Sequence, residues 1–152
     1  MSPRDPQTRK RDALARLTSP AVDTWVASAS PAGAAHLVPL SLCWTSDRAV
    51  VAVDSTSVTA RNVVATGRAR LGVGPTRDVV MIDAELDRVV PADETADDGG
   101  ALGTAYATQA DWDPRGSTGY AFLVLRPVRV QAWREVDEMA GRTLMTDGRW
   151  LV

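Results

Sequence analysis

The residues best placed to do chemistry are concentrated in the stretch DSTSVTARN, from Asp54 to Asn62. A compact apolar run, 49–53, precedes it and reads as a strand. Ser55, Thr56 and Ser57 each offer a side-chain oxygen able to cap a helix. A helix over Val58–Thr66 should follow, with Ala60, Val63 and Val64 on one face and Gly67 as its left-handed stop. Strand, hydroxyl-rich turn and helix start, with Arg61 and Asn62 one turn in, is an arrangement that seats a phosphate. Free main-chain N–H groups and the positive end of the helix dipole meet the anion, and a guanidinium closes over it. The same residues also describe a capped amphipathic helix whose Arg61 is merely solvated.

Composition removes several other chemistries. The chain has 152 residues, enough for one domain (1–152) with a sizeable core. Cys43 is its only cysteine and His36 its only histidine, which leaves no disulfide, no cysteine-based metal site and no Ser-His-Asp scheme worth pursuing. No metal site is expected. Net charge is −2 and there are only eight aromatic residues (five Trp, two Tyr, one Phe), so a nucleic-acid-binding face is not expected. No apolar run is long enough to span a bilayer, and the opening SPRDPQTRKRD lacks the apolar core of a secretory signal. The expected compartment is the cytoplasm, with no membrane partner. Lys10 is the sole lysine among many arginines, a hint of a GC-rich genome.

The elements that must position the turn can be read in order. Ala13, Leu14 and Leu17 predict a short amphipathic helix within 6–18, its Arg9-Lys10-Arg11 cluster a solvated face. Residues 24–30 read as a strand and 31–33 as its turn. The run 36–44 is apolar but interrupted by Pro39, which cannot donate to a ladder and so belongs on a strand edge or at a bulge. Such an edge leaves main-chain groups free for something that is not a strand. Arg68–Val73 alternates outward arginines with inward Ala69, Leu71 and Val73. In 78–90, Ile82, Ala84 and Leu86 alternate with Asp83, Glu85 and Asp87. Residues 91–100 read as an acidic loop, 101–110 as a short helix, 112–117 as a loop and 120–126 as a strand that Pro127 breaks. Val128, Val130 and Ala132 form a further strand, and Thr146-Asp-Gly148 a final turn. Six or seven antiparallel strands with short helices in the connections predict a mainly β (α+β), closed or partly closed barrel.

With the strands in place, the chain resembles the pyridoxamine 5′-phosphate oxidase-like FMN-binding split-barrel proteins. It is most similar to their deazaflavin-dependent actinobacterial members, which use coenzyme F420. The likeness covers 24–151, and its most specific pieces are HLVPLSLCW, STSVTARN, TRDVVMID and AWRE…EMAGRTLMTDGRWL. It implies a Greek-key split barrel and a cofactor site. In it, the strand carrying Pro39, Leu40 and Ser41 runs under the tricyclic ring and bonds it through main chain. Val53 and Asp54 would continue that wall, and Ser57, Val58 and Thr59 would hold the phosphate, with Arg61 and Asn62 just beyond. Arg77 and Asp78 would reach the ring's polar edge, while Trp133 and Arg142 would close the site, commonly from the second subunit of a homodimer. The phosphate turn departs from the pattern: many relatives carry Arg-Lys or a similar basic residue where this chain has Val58-Thr59. That weighs against tight FMN binding unless Arg61, Arg77 or an N-terminal arginine compensates.

The resemblance thus implies hydride transfer between bound F420 or FMN and a small organic acceptor. No catalytic side chain is identifiable, because the cofactor carries the chemistry. Tyr106, Asp54 and bulk water are each candidates for the proton donor. The alternative is a non-catalytic protein that binds or stores a flavin, haem or other planar ligand on the same barrel. An uncovered apolar sheet face and free strand edges give dimerisation its physical motive.

Overall fold

Burial alternates along Asp23–Ala29 and Arg68–Val73, which present one dry and one wet face, whereas Arg48–Asp54 is buried on both faces. The structure is a computed structural model and describes residues 2–152, apart from the Asp97 side chain. Nine strands form the sheet: β1 (Asp23–Ala29), β2 (Ala35–Ser41), β3 (Cys43–Thr45), β4 (Arg48–Asp54), β5 (Arg68–Val73), β6 (Val79–Pro91), β7 (Tyr120–Trp133), β8 (Thr143–Thr146) and β9 (Arg149–Trp150). Three α-helices accompany them: α1 (Pro6–Leu17), α2 (Val58–Thr66) and α3 (Asp97–Gln109). The main path runs β2-β1-β5-β6-β7-β4-β3, all antiparallel, with the β8–β9 hairpin attached to β7. β2 and β4 approach one another without pairing, and this gap is the split in the barrel.

The barrel interior holds Val26, Leu71, Ile82, Leu123, Leu125, Val130 and Leu144, all essentially without solvent contact. A second cluster lies under α3, where Tyr106, Leu102 and Ala110 meet Cys43, Val50, Phe122 and Val124. Each fully buried Leu, Ile or Phe contributes about 2 kcal/mol over its exposed state, so these clusters fix the strand faces. One register slip would turn the whole set to solvent.

Several sequence expectations change in the structure. The run 36–44 is two strands rather than one, since the chain bends at Leu42 to pass from β2 to β3. Pro127 does not break its strand: β7 runs through it because the pairing with β6 shifts between Asp83 and Ala84, so that a bulge accommodates the proline's missing donor. α3 begins at Asp97, four residues before the predicted start, within the stretch read as a loop. Val64 points outward, 59% exposed, and the buried face of α2 is Thr59, Ala60, Asn62 and Val63. Arg9 is not solvated but buried: its guanidinium donates to the carbonyls of Arg4 (2.9 Å), Gly141 (2.9 Å) and Glu138 (3.3 Å).

α1 starts on an Asp5 cap, whose carboxylate accepts from Thr8 N–H at 2.9 Å, and Pro6 opens its first turn. It is anchored through Glu138, which is wholly buried. Arg4 donates to both its oxygens (2.8 and 3.1 Å) as well as from its main chain (2.8 Å), and Arg134 donates from its main chain (2.9 Å). The hydrogen bonds and charge of Arg4 hold the Glu138 carboxyl well below the usual carboxylate range, against the opposing effect of burial.

Candidate functional site

The split between β2 and β4 opens a cleft of about 550 Å³ whose mouth is closed on one side by the start of α2. It is lined by Val38, Pro39, Leu40, Ala52 and Val53, by Asp54, Ser57, Val58 and Thr59, and by His36, Trp112 and Tyr120. Seven residues singled out from the sequence therefore meet here: Pro39, Leu40, Val53, Asp54, Ser57, Val58 and Thr59.

Local chemistry explains the shape of this wall. The hairpin before β2 closes with a bond from Ser30 N–H to the Ala34 carbonyl (3.0 Å). Counting by twos, His36, Val38 and Leu40 direct their main chain toward β1, and Leu37, Pro39 and Ser41 direct theirs to the free edge. Ser41 bears this out, since its carbonyl accepts from the Tyr106 hydroxyl at 3.3 Å. Pro39 thus lacks its N–H where no strand needs it. The side chains of His36, Val38 and Leu40 share one face and enter the cleft.

At the other wall, Ser57 is the N-cap of α2 and accepts from Ala60 N–H at 3.1 Å, while Arg61 N–H bonds the Ser57 carbonyl at 3.0 Å. Gly67 stops the helix at φ 73°, its N–H on the Val63 carbonyl. Asp54 bends back onto Thr56, accepting from its N–H (2.8 Å) and hydroxyl (2.7 Å). These bonds, the main-chain one first, hold the Asp54 carboxyl below the usual carboxylate range. Thr59 is only 2% exposed and Val58 is 40% exposed, so of the two positions where a basic residue is missing, one faces inward.

The remaining expected residues do not line the cleft. Arg61 is exposed on α2, with no ion pair among the described residues. Asn62 is buried and donates to Ser28 Oγ at 3.2 Å, a packing role. Ser41 is committed to Tyr106. Asp78 binds Arg16 (2.8 Å) and Arg4 (3.2 Å), which ties the start of β6 to α1. Arg77 pairs with Glu135 (3.0 Å), and Arg142 lies 5.8 Å over the Trp133 ring while donating to the Met139 carbonyl (2.9 Å). Trp133 pairs with Val79, so this second group gathers where β6 begins and β7 ends.

Neither side-chain candidate for proton donor is available. Hydrogen bonds from Thr56 hold the Asp54 carboxyl below its usual range, and Tyr106 is buried with its hydroxyl on the Ser41 carbonyl, burial pushing its phenol up to about 12. His36, Trp112 and Tyr120 are cleft residues the sequence reading missed. For His36 a signal existed, since it alternates with Val38 and Leu40 and so shares their face. Trp112 and Tyr120 meet edge to face with ring centroids 5.5 Å apart, and that contact depends on the path of the 111–119 connection, which no local pattern encodes.

Strand path, split and cleft define an α+β split barrel. No protein-family model and no curated protein matches the chain. Solved structures do. One is an F420 reductase, with a TM-score of 0.59 and 15% identity over 76% of this chain and 94% of the other. A haem-binding protein from Mycobacterium smegmatis gives a TM-score of 0.67 and 17% identity, covering 95% of this chain and 59% of that one. The haem storage protein HutZ from Vibrio cholerae gives 0.66 and 10% identity over 88% of this chain and 98% of its own. At these identities the likeness is one of fold. No helix is long and apolar enough to cross a membrane among the described residues.

Proposed function

We propose that the cleft holds a planar, phosphate-bearing cofactor, coenzyme F420 or FMN, and that the protein transfers a hydride between it and a small organic acceptor. The observation that carries this reading is the pairing of two unlike walls in one cleft. One is an apolar strand edge with free main-chain groups at Leu37 and Pro39; the other is a capped helix start at Ser57. The residues fit such a group. Leu40, Val38 and Val53 offer flat apolar contact, the Pro39 carbonyl faces outward for a ring N–H or hydroxyl, and the uncapped first N–H groups of α2 would meet the anion.

When bound, the deazaflavin or flavin supplies the hydride chemistry, and the chain orients it. Asp54 Oδ1 stays an acceptor committed to Thr56 and delivers no proton. With Tyr106 also committed, the proton that completes reduction of the acceptor comes from solvent entering the open cleft. We assign the second copy in a homodimer to the outer face of β1 and β2, where Trp25 (54% exposed) and Leu37 (60% exposed) stand beside Pro39. The cluster of Arg77, Trp133 and Arg142 would then face the cleft from the partner.

A second reading, a haem or other planar-ligand binder without turnover, is favoured by the absence of a basic side chain at Val58-Thr59. Haem-binding proteins of the same fold support it as well. The absorbance of reduced F420 or FMN, followed after mixing with catalytic protein and an enone or imine acceptor, tests the two. Loss of the reduced cofactor only when protein is present supports hydride transfer. Retention of bound cofactor with every acceptor supports the binder.

A further inference from the structure

We infer that His36 provides the positive charge that the phosphate turn lacks, so that recognition of the cofactor's phosphate is switched on by protonation of this imidazole. The inference rests on the reading that the cleft holds a phosphate-bearing ring. It is carried by elimination within the cleft. Of the side chains that line it, His36 is the one able to carry a positive charge, and it lines the same cavity as Ser57, Val58 and Thr59. It is half-buried and has no hydrogen-bond partner among the described residues, so its ring nitrogens are free for a ligand.

No arginine lines the cleft, and those the sequence offers as compensation are spent or misplaced. Arg4 and Arg9 grip the 138–141 segment, Arg16 binds Asp78, Arg77 binds Glu135, and Arg61 lies outside the cleft. The register sets His36 opposite Ser28, and Ser28 accepts from Asn62 in the second turn of α2. His36 is therefore at the end of β2 nearest the second turn of α2, with Pro39 and Leu40 further along the strand. A phosphate at the α2 start and a ring on Pro39-Leu40 would place the imidazole beside the anion rather than the reacting carbon.

Imidazole is the side chain whose charge changes between about pH 5 and 8. The charged groups on elements packed against β2 are few. Asp54 ends β4 in the same cleft, Arg61 is exposed on α2, Asp23 sits at the far end of β1 opposite Ser41, and Arg48 starts β4 at its far end. A phosphate bound beside the imidazole favours its protonated form. Binding of the phosphate must then raise the imidazole's titration midpoint, and by linkage the affinity must rise as pH falls through it.

The single histidine makes the test direct, since its imidazole gives one Cε1–H resonance. That resonance is titrated with pH in the free protein and with FMN, riboflavin, F420 or the phosphate-free deazariboflavin. Calorimetry runs in parallel on wild type and His36→Gln at about pH 6 and pH 8, the glutamine variant also correcting for the phosphate's own ionisation. The midpoint should rise only with the phosphate-bearing ligands. His36→Gln should lose about tenfold in their affinity at the lower pH and nothing for the phosphate-free rings. An unmoved midpoint, or equal loss for both ligand types, would overturn the role of His36 while leaving ring binding intact. Phosphate selectivity that survives in His36→Gln would assign the charge elsewhere, as to a partner's arginine. Failure of all four ligands to bind would remove both this inference and the reading beneath it.

Discussion

Tyr106 donates a hydrogen bond to the main-chain carbonyl of Ser41 across 3.3 Å, fixing the outward edge of β2 to α3. The phenol is otherwise packed against Phe122, with centroids 5.1 Å apart, and Trp112, at 6.3 Å. A residue that could be taken for an acid from its type is thus a strut behind the cleft wall. Tyr106→Phe should lower stability by about 1 kcal/mol, read from the urea midpoint, and leave cofactor turnover unchanged. A large loss of turnover with intact folding would make the phenol part of the chemistry.

Glu138 offers a pH-dependent anchor. The hydrogen bonds of Arg4 hold its folded-state pKa below the ordinary value. The stability it contributes is therefore fully present above the usual glutamate range of about 4.3 and lost as pH falls below it. Glu138→Gln leaves Arg4 and Arg134 facing a neutral amide and should cost roughly 3 kcal/mol at neutral pH. Denaturant titrations of both proteins should show the gap closing below about pH 4. A gap that stays constant into strong acid would contradict this.

The phosphate turn can be given a cation at one of its two positions only. Val58 is 40% exposed, whereas Thr59 is buried in the helix–sheet contact. Val58→Lys should tighten FMN binding by about tenfold, the worth of one charge-assisted bond, with little change in melting temperature. Thr59→Lys should instead destabilise the fold. Equal tolerance at both positions would mean that α2 does not pack as described.

Cys43 lies between Leu42 and Trp44, and burial pushes its thiol up to about 11. It should resist Ellman's reagent at pH about 8 in the native protein and react on unfolding. Rapid labelling of the folded chain would show that the region under α3 opens.

Much of this site was legible where the determinants are local. Ser57 and Gly67 bound α2 at the residues their chemistry dictates, a cap oxygen and a left-handed stop. Pro39 announces an edge strand because a missing donor admits few other places. What the sequence hides depends on distant partners. Arg9 is buried because carbonyls at Glu138 and Gly141, far along the chain, come to meet it. Pro127 sits in continuous strand because β7 itself bulges there, Val128 being the extra residue opposite the Asp83–Ala84 step of β6. Trp112 reaches the cleft through a connection with no periodicity, and Asn62 serves Ser28 on a neighbouring strand rather than an anion.

Calorimetric titration of the cofactor-stripped protein with FMN and with F420, repeated on Leu40→Arg to block the cleft, bears most directly on the proposed site. Micromolar or tighter binding of one of the two is expected, abolished when Leu40 is replaced. Binding of neither, or binding that Leu40→Arg leaves untouched, would contradict a cofactor seated between β2 and α2.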